Sequence, residues 1–155
     1  MPSSPKQELE QFIAKYSPAI ASQAAEALKI LRARLPGVYE LVYDNYNALA
    51  IGFSPTEKSS DAIFSLALYP KWVSFFFLQG AGLPDPTGIL KGTGKVIRHI
   101  VLSDSTDLKK PDVEALIAAA LLAARTPLPS KRGPSKLLIK SVSENQRPRR
   151  PSTNA

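Results

Sequence analysis

The chain has 155 residues, 44% of them hydrophobic, no cysteine and a formal net charge of +7. That length allows one domain with a packed core, and the lack of cysteine excludes disulfides, thiolate nucleophiles and cysteine-based metal sites. The charge is lopsided: residues 1–124 carry 12 Lys/Arg against 12 Asp/Glu, whereas residues 125–155 carry 8 Lys/Arg against Glu144 alone, so the whole excess lies in the tail and no basic nucleic-acid-binding face is indicated on the body.

No apolar run approaches the ~20 residues that a membrane helix needs. The opening Met1-Pro2-Ser3-Ser4-Pro5 lacks the charged and apolar regions of a signal peptide. A cytoplasmic protein without membrane contact is the expectation.

In chain order, Ser4-Pro5 reads as a cap and first-turn pair that opens a short helix anchored by Phe12 and ending near Tyr16. Ser17-Pro18 repeats the signal. Ile20, Ala24, Ala27, Leu28, Leu31 and Leu35 then recur at helical spacing until Pro36-Gly37 stops the run. Residues 39–46 fit either a strand or a helical turn. Residues 48–53 and 63–69 alternate small with large side chains, and Pro70-Lys71 leads tightly into the apolar run 72–78. Such short connections predict antiparallel neighbours. After a glycine-rich loop, residues 96–102 read as a fourth strand, and Pro111 opens an Ala/Leu-rich helix to about Arg125. The expected fold is α+β: an antiparallel four-stranded sheet with N-terminal and C-terminal helices packed on one face. The domain is expected to span 4–125. The Pro/Ser-rich basic tail, 126–155, is expected to be mostly disordered, with Leu137 to Ile139 as the stretch able to dock on the body.

Catalytic constellations are missing. The single histidine, His99, lies in a strand pattern with Ile97 and Val101 and reads as a partly buried structural residue. There is no G-x-S-x-G elbow for a hydrolase nucleophile. Lys91-Gly92-Thr93-Gly94-Lys95 fails as a phosphate loop, because Ile89 stands where the first Walker glycine belongs and Val96 where Ser or Thr must hold Mg²⁺. The same loop nevertheless gathers Lys91, Lys95 and Arg98 around glycines that permit an anion nest, with a plain turn as the alternative. Glu40 and Asp44 are candidate oxygen ligands for a hard cation, or else partners of Arg98. Residues 72–78 are apolar on both faces, so one sheet face needs a cover: the tail, a second subunit or a ligand. Their expected neighbours, Ala48, Ala50, Gly52, Ser65, Ala67 and Tyr69, are small apart from Tyr69 and predict a concavity beside the aromatics, a pocket or a dimer surface.

The stretches Glu40-Leu41-Val42-Tyr43-Asp44-Asn45-Tyr46-Asn47-Ala48-Leu49, Ala67-Leu68-Tyr69-Pro70-Lys71-Trp72-Val73 and, above all, Gly80-Ala81-Gly82-Leu83-Pro84-Asp85-Pro86 resemble the YdhG-like family, domain of unknown function 1801. Leu90-Lys91-Gly92-Thr93-Gly94-Lys95 and Arg98-His99-Ile100 continue the likeness. The resemblance implies a compact α+β fold. It also implies a link to a frataxin-like intracellular iron-chaperone branch, without a residue-level iron site. Together these readings point to a non-catalytic binding module with no cofactor. Its ligand is expected to be a small anion, a metal or a protein partner, a homodimer through the second sheet face included. The expected ligand residues are Lys91, Gly92, Gly94, Lys95, Arg98, Tyr43 and Trp72, with Glu40 and Asp44 for a metal. The alternative is weak nucleic-acid association through Arg147, Arg149 and Arg150 of the tail.

Overall fold

A computed structural model describes residues 3–128 and 136–151. Helix α1, Pro5–Ala14, begins with a capping box in which the Ser4 side chain and the Gln7 side chain each accept from the other's backbone N–H. Helix α2, Pro18–Arg34, is capped by Ser17 and buries Ile20, Ala24, Ala27, Leu28 and Leu31, the face read from the spacing. Gly37 then takes a φ of 78°, a conformation that favours glycine, and turns the chain into the sheet.

The strands are β1, Tyr39–Asp44; β2, Leu49–Ser54; β3, Phe64–Leu68; β4, Val73–Phe77; β5, Arg98–Leu102; and β6, Lys136–Val142, with helix α3, Pro111–Ala123, between the last two. They form one sheet in the order β5-β4-β3-β2-β1-β6. The first five strands pair antiparallel, whereas β6 lies parallel to β1, with Leu41 opposite Leu138. The α+β class therefore holds, but the sheet has six strands and is mixed rather than four-stranded and antiparallel.

Two segments account for the difference. Residues 39–44, ambiguous by pattern, are a strand whose Leu41 and Val42 are both fully buried, which is where a β conformation outcompetes a lone helical turn. The tail also enters the fold. The expected boundary at 125 and the expectation of a mostly disordered 126–155 are corrected for residues 136–151; residues 129–135 and 152–155 lie outside those described. The tail's average composition is that of a disordered chain, yet Leu137, Leu138 and Ile139 form a local apolar triplet between Lys136 and Lys140. Leu137 and Ile139 pack on the core, while β1 supplies the hydrogen-bonding edge they need.

The main core lies on one face of the sheet. Its central row runs Val42, Ile51, Leu66, Phe75 and Ile100 across five strands, and it packs against Leu9 of α1, Leu28 and Leu31 of α2 and Ile117 of α3. Tyr16, fully buried at the end of α1, ties helix to sheet. Its hydroxyl donates to the Leu68 carbonyl (3.0 Å) and accepts from the Leu49 N–H (3.1 Å). Burial raises the Tyr16 pKa, although the nearby Arg149 cation opposes the shift.

Candidate functional site

The opposite face carries the next row of side chains: Tyr43, Ala50, Ala67, Ser74 and Val101. Beside it runs the row Leu41, Gly52, Ser65, Phe76 and His99. No helix among the described residues packs on these rows. Their Leu41–Gly52 end is closed by the β2–β3 connection, where the Ser59 hydroxyl meets the Tyr43 hydroxyl and Ala62 approaches Gly52. Toward the other end the small side chains leave an open trough of about 580 Å³, within the usual range for ligand pockets.

Ala48, Ala50, Ser65 and Ala67 form its floor. Tyr69, Phe76 and Leu78 stand on one side, and Asn45, Tyr46, Asn47 and Ser143 on the other. The walls are built in different ways. Phe76 projects from β4 and stacks on His99, ring centroids 5.1 Å apart. Tyr69 leaves β3 at the hairpin to β4 and stacks on Trp72 at 4.6 Å. Trp72 stays 42% exposed and Tyr46 53%. Burial pushes the Tyr69 hydroxyl pKa up, so at neutral pH it remains a phenol that can donate a hydrogen bond. No Asp, Glu, Lys or Arg side chain is among these lining residues. The trough can therefore hold a flat, uncharged body by apolar and aromatic contact and orient it through the Asn45 and Asn47 amides and the hydroxyls of Tyr46, Tyr69 and Ser143.

The glycine-loop candidates do not join this site. Lys91 forms a backbone bridge with His99, donating to its carbonyl and accepting from its N–H at 2.8 and 2.9 Å. Gly92 sits at φ 121°, but Gly94 does not adopt positive φ. The Arg98 guanidinium turns inward and donates to the carbonyls of Gly94 (2.5 Å) and Ile97 (2.8 Å). The loop thus presents oxygens to its own arginine, where an anion nest would present N–H groups. Lys91 and Lys95 are exposed. Of the other expected ligand residues, Tyr43 is held by Ser59 beside the floor, and Trp72 stacks on Tyr69 of the trough wall.

Glu40 and Asp44 share the helix side of β1, and each is claimed by a cation other than Arg98. Glu40, 1% exposed, takes a two-pronged contact from Arg32 of α2 at 2.8 and 2.8 Å. This contact raises the Arg32 pKa. Asp44, also 1% exposed, meets Arg149 at 2.8 Å and Lys15 at 3.5 Å. Among the described residues no group of three or more His, Asp or Glu is arranged to hold a metal ion. The tail arginines part company. Arg149 is buried, lying 5.7 Å from the Tyr16 ring centre. Arg150 donates to the carbonyls of Lys15 and Ala14 at the C-terminal end of α1, a favourable place for a cation. Arg147 alone of the three is anchored only by its backbone, whose N–H reaches the Tyr46 carbonyl (2.9 Å). Sequence reasoning missed Arg149 as a structural anchor, since nothing in a Pro/Arg-rich stretch marks one arginine for burial.

No helix among the described residues is long and apolar enough to cross a membrane. No family model, curated protein or solved structure matches the chain.

Proposed function

We propose that this chain is a non-catalytic binding module whose trough on the helix-free sheet face takes an uncharged, flat, largely apolar small molecule. One observation carries this reading. A floor of alanine and serine lies between Phe76 and Tyr69 on one side and Tyr46 on the other, on a sheet whose opposite face carries the hydrophobic core. The absence of charge from the lining argues for a neutral ligand over the anion that the glycine loop suggested. The engagement of Glu40 and Asp44 by arginines argues against iron held between them, so the likeness to the YdhG-like family enters this proposal through its fold alone. The burial of Arg149 weakens the nucleic-acid alternative. A binding role without chemistry is supported by the position of His99, packed on Phe76 rather than paired with an acid.

N-phenyl-1-naphthylamine, a neutral aromatic fluorophore, tests the proposal. Trp72 is the only tryptophan and stacks on Tyr69 of the trough wall, so its emission reports occupancy by a fluorophore that overlaps its emission. Saturable binding with loss of Trp72 emission is expected in the wild type. Ala50→Leu, which fills the floor, should weaken binding on the order of tenfold or more, about 1.4 kcal/mol, and leave the thermal midpoint nearly unchanged. Binding that leaves Trp72 emission unaltered, or that Ala50→Leu tolerates, sinks the proposal.

A further inference from the structure

Residues 143–151, which follow β6, form no helix or strand, yet they are bound to the body at several points. The Ser143 N–H donates to the Asp44 carbonyl (2.8 Å), the Gln146 side-chain amide donates to the same carbonyl (3.1 Å), and the Arg147 N–H donates to the Tyr46 carbonyl (2.9 Å). Arg149 then turns inward. Its guanidinium donates to the Asp44 carboxylate (2.8 Å) and to the carbonyls of Asn45 (2.5 Å) and Tyr46 (3.5 Å). From Glu144 to Pro151 it is the one buried residue, 6% exposed. These contacts converge on residues 44–46, where β1 enters the turn whose residues 45–47 form one wall of the trough. The same segment contributes Ser143 to the rim.

The anchor is strong but incomplete. Arg149 Nε is buried without a hydrogen-bond partner among the described residues, and Asp44 Oδ2 has no hydrogen bond there and only the Lys15 ammonium at 3.5 Å. A buried ion pair recovers its desolvation cost only when its remaining donors and acceptors are satisfied. Arg149 is thus the one buried anchor of the strap and its seating is partly offset, while the contacts of Gln146 and Arg150 lie at the half-buried or exposed surface. Those are the features of a segment that opens locally without global unfolding.

We infer that Arg149 is the positioning residue of a releasable strap, residues 143–151, whose closure builds the 45–47 wall of the trough, so that strap closure and trough occupancy favour each other. The inference rests on the binding reading above. By linkage, the factor by which a bound molecule holds the strap closed equals the factor by which an open strap weakens binding.

Trypsin reads the strap directly. Arg147 and Arg150 each precede proline and resist cleavage, so within the strap the Arg149–Arg150 bond is the cleavable one, and cleavage there requires Arg149 to leave its site. Slow release of residues 150–155, followed by mass spectrometry, is expected in the wild type. Saturating N-phenyl-1-naphthylamine should slow it severalfold. Arg149→Lys keeps a tryptic site but lacks the fork that spans Asp44 and the turn carbonyls. It should be cut at least tenfold faster and bind the probe severalfold more weakly. The double variant Arg149→Lys/Asp44→Asn, in which the buried carboxylate is neutralised, should behave alike even if the single variant is unstable. If the probe binds the wild type with the Trp72 response, but protects nothing and binds the variants equally, the strap is a fixed clip. The inference then fails while the binding reading stands. Failure of the probe to bind the wild type overturns both.

Discussion

Two neighbouring rows of the same sheet are built to opposite rules. Val42, Ile51, Leu66, Phe75 and Ile100 are large, nearly inaccessible and covered by three helices. One residue along each strand, Tyr43, Ala50, Ala67, Ser74 and Val101 present mostly small side chains to a face that no helix among the described residues covers. Because side chains alternate across a strand, five strands write both rows at once. The first row accounts for the fold. The second spends central positions of a six-stranded sheet on residues that pack little, and packing alone gives no reason for that choice.

The sharpest test of this contrast uses two adjacent residues. Phe75 is fully buried between Phe64 and Phe77, with ring centroids at 5.4 and 5.1 Å. Phe76 points the other way, toward the trough and His99. Phe75→Ala should cost about 3–5 kcal/mol, the usual loss for an aromatic removed from a core. Phe76→Ala should cost about 1–2 kcal/mol, since Phe76 is only partly buried, and should weaken probe binding. Chemical denaturation of both variants checks this. Equal losses would mean that the open face is a second core and not a site.

The closed face also buries the carboxylates of Glu40 and Asp44, and removing the partner of Glu40 gives the next largest effect. Arg32→Met leaves the Glu40 carboxylate buried at the edge of the helix layer without its two donors. The expected loss at pH 7 is about 3 kcal/mol, because an unpaired buried charge is costly. Arg32→Met/Glu40→Met should recover most of it, as apolar replacements of buried pairs often do. A double variant no better than the single one would show that the pair itself, rather than the orphaned charge, holds α2 on β1.

Much of this architecture is legible in the residues. Ser4 and Ser17 before prolines mark two helix starts, and the α2 spacing names its buried face. The small residues at 48, 50, 52, 65 and 67 opposite an aromatic run announce a concavity. Long-range pairing is not legible. Glu40 lies eight residues from Arg32 and Asp44 lies 105 from Arg149, and no local pattern joins either pair. The tail misleads because disorder is read from composition averaged over 30 residues, whereas three apolar residues beside an open strand edge suffice for β6. The glycine loop misleads for a different reason: Gly92 and Lys95 carry the composition of an anion site, but backbone direction decides whether N–H groups or carbonyls converge, and here Arg98 gathers the carbonyls.

The smallest expected effect sits at the rim of the closed face, where Asp107 fixes the turn between β5 and α3 that delivers Leu108 to the core. Its carboxylate accepts from the Ser103 N–H (2.9 Å), the Ser103 hydroxyl (2.8 Å) and the Asp104 N–H (3.3 Å), and it meets Lys110 at 2.9 Å. Burial would raise its pKa, but the donors of Lys110, Ser103 and Asp104 outweigh that and hold it down to about 2. The folded value lies below the unfolded one, so the carboxylate stabilises the fold fully above pH ~4 and progressively less as pH falls toward 2. The shift corresponds to at most about 2 kcal/mol, and solvent screening at this surface position reduces it to about 1 kcal/mol. Asp107→Asn should therefore be less stable than the wild type by about 1 kcal/mol at pH 7. The gap should narrow between pH 4 and pH 2, while probe binding on the open face is unchanged at pH 7. A gap that stays constant down to pH 2 would assign the loss to turn geometry rather than charge, and a fall in probe affinity at pH 7 would show that the two faces are not independent.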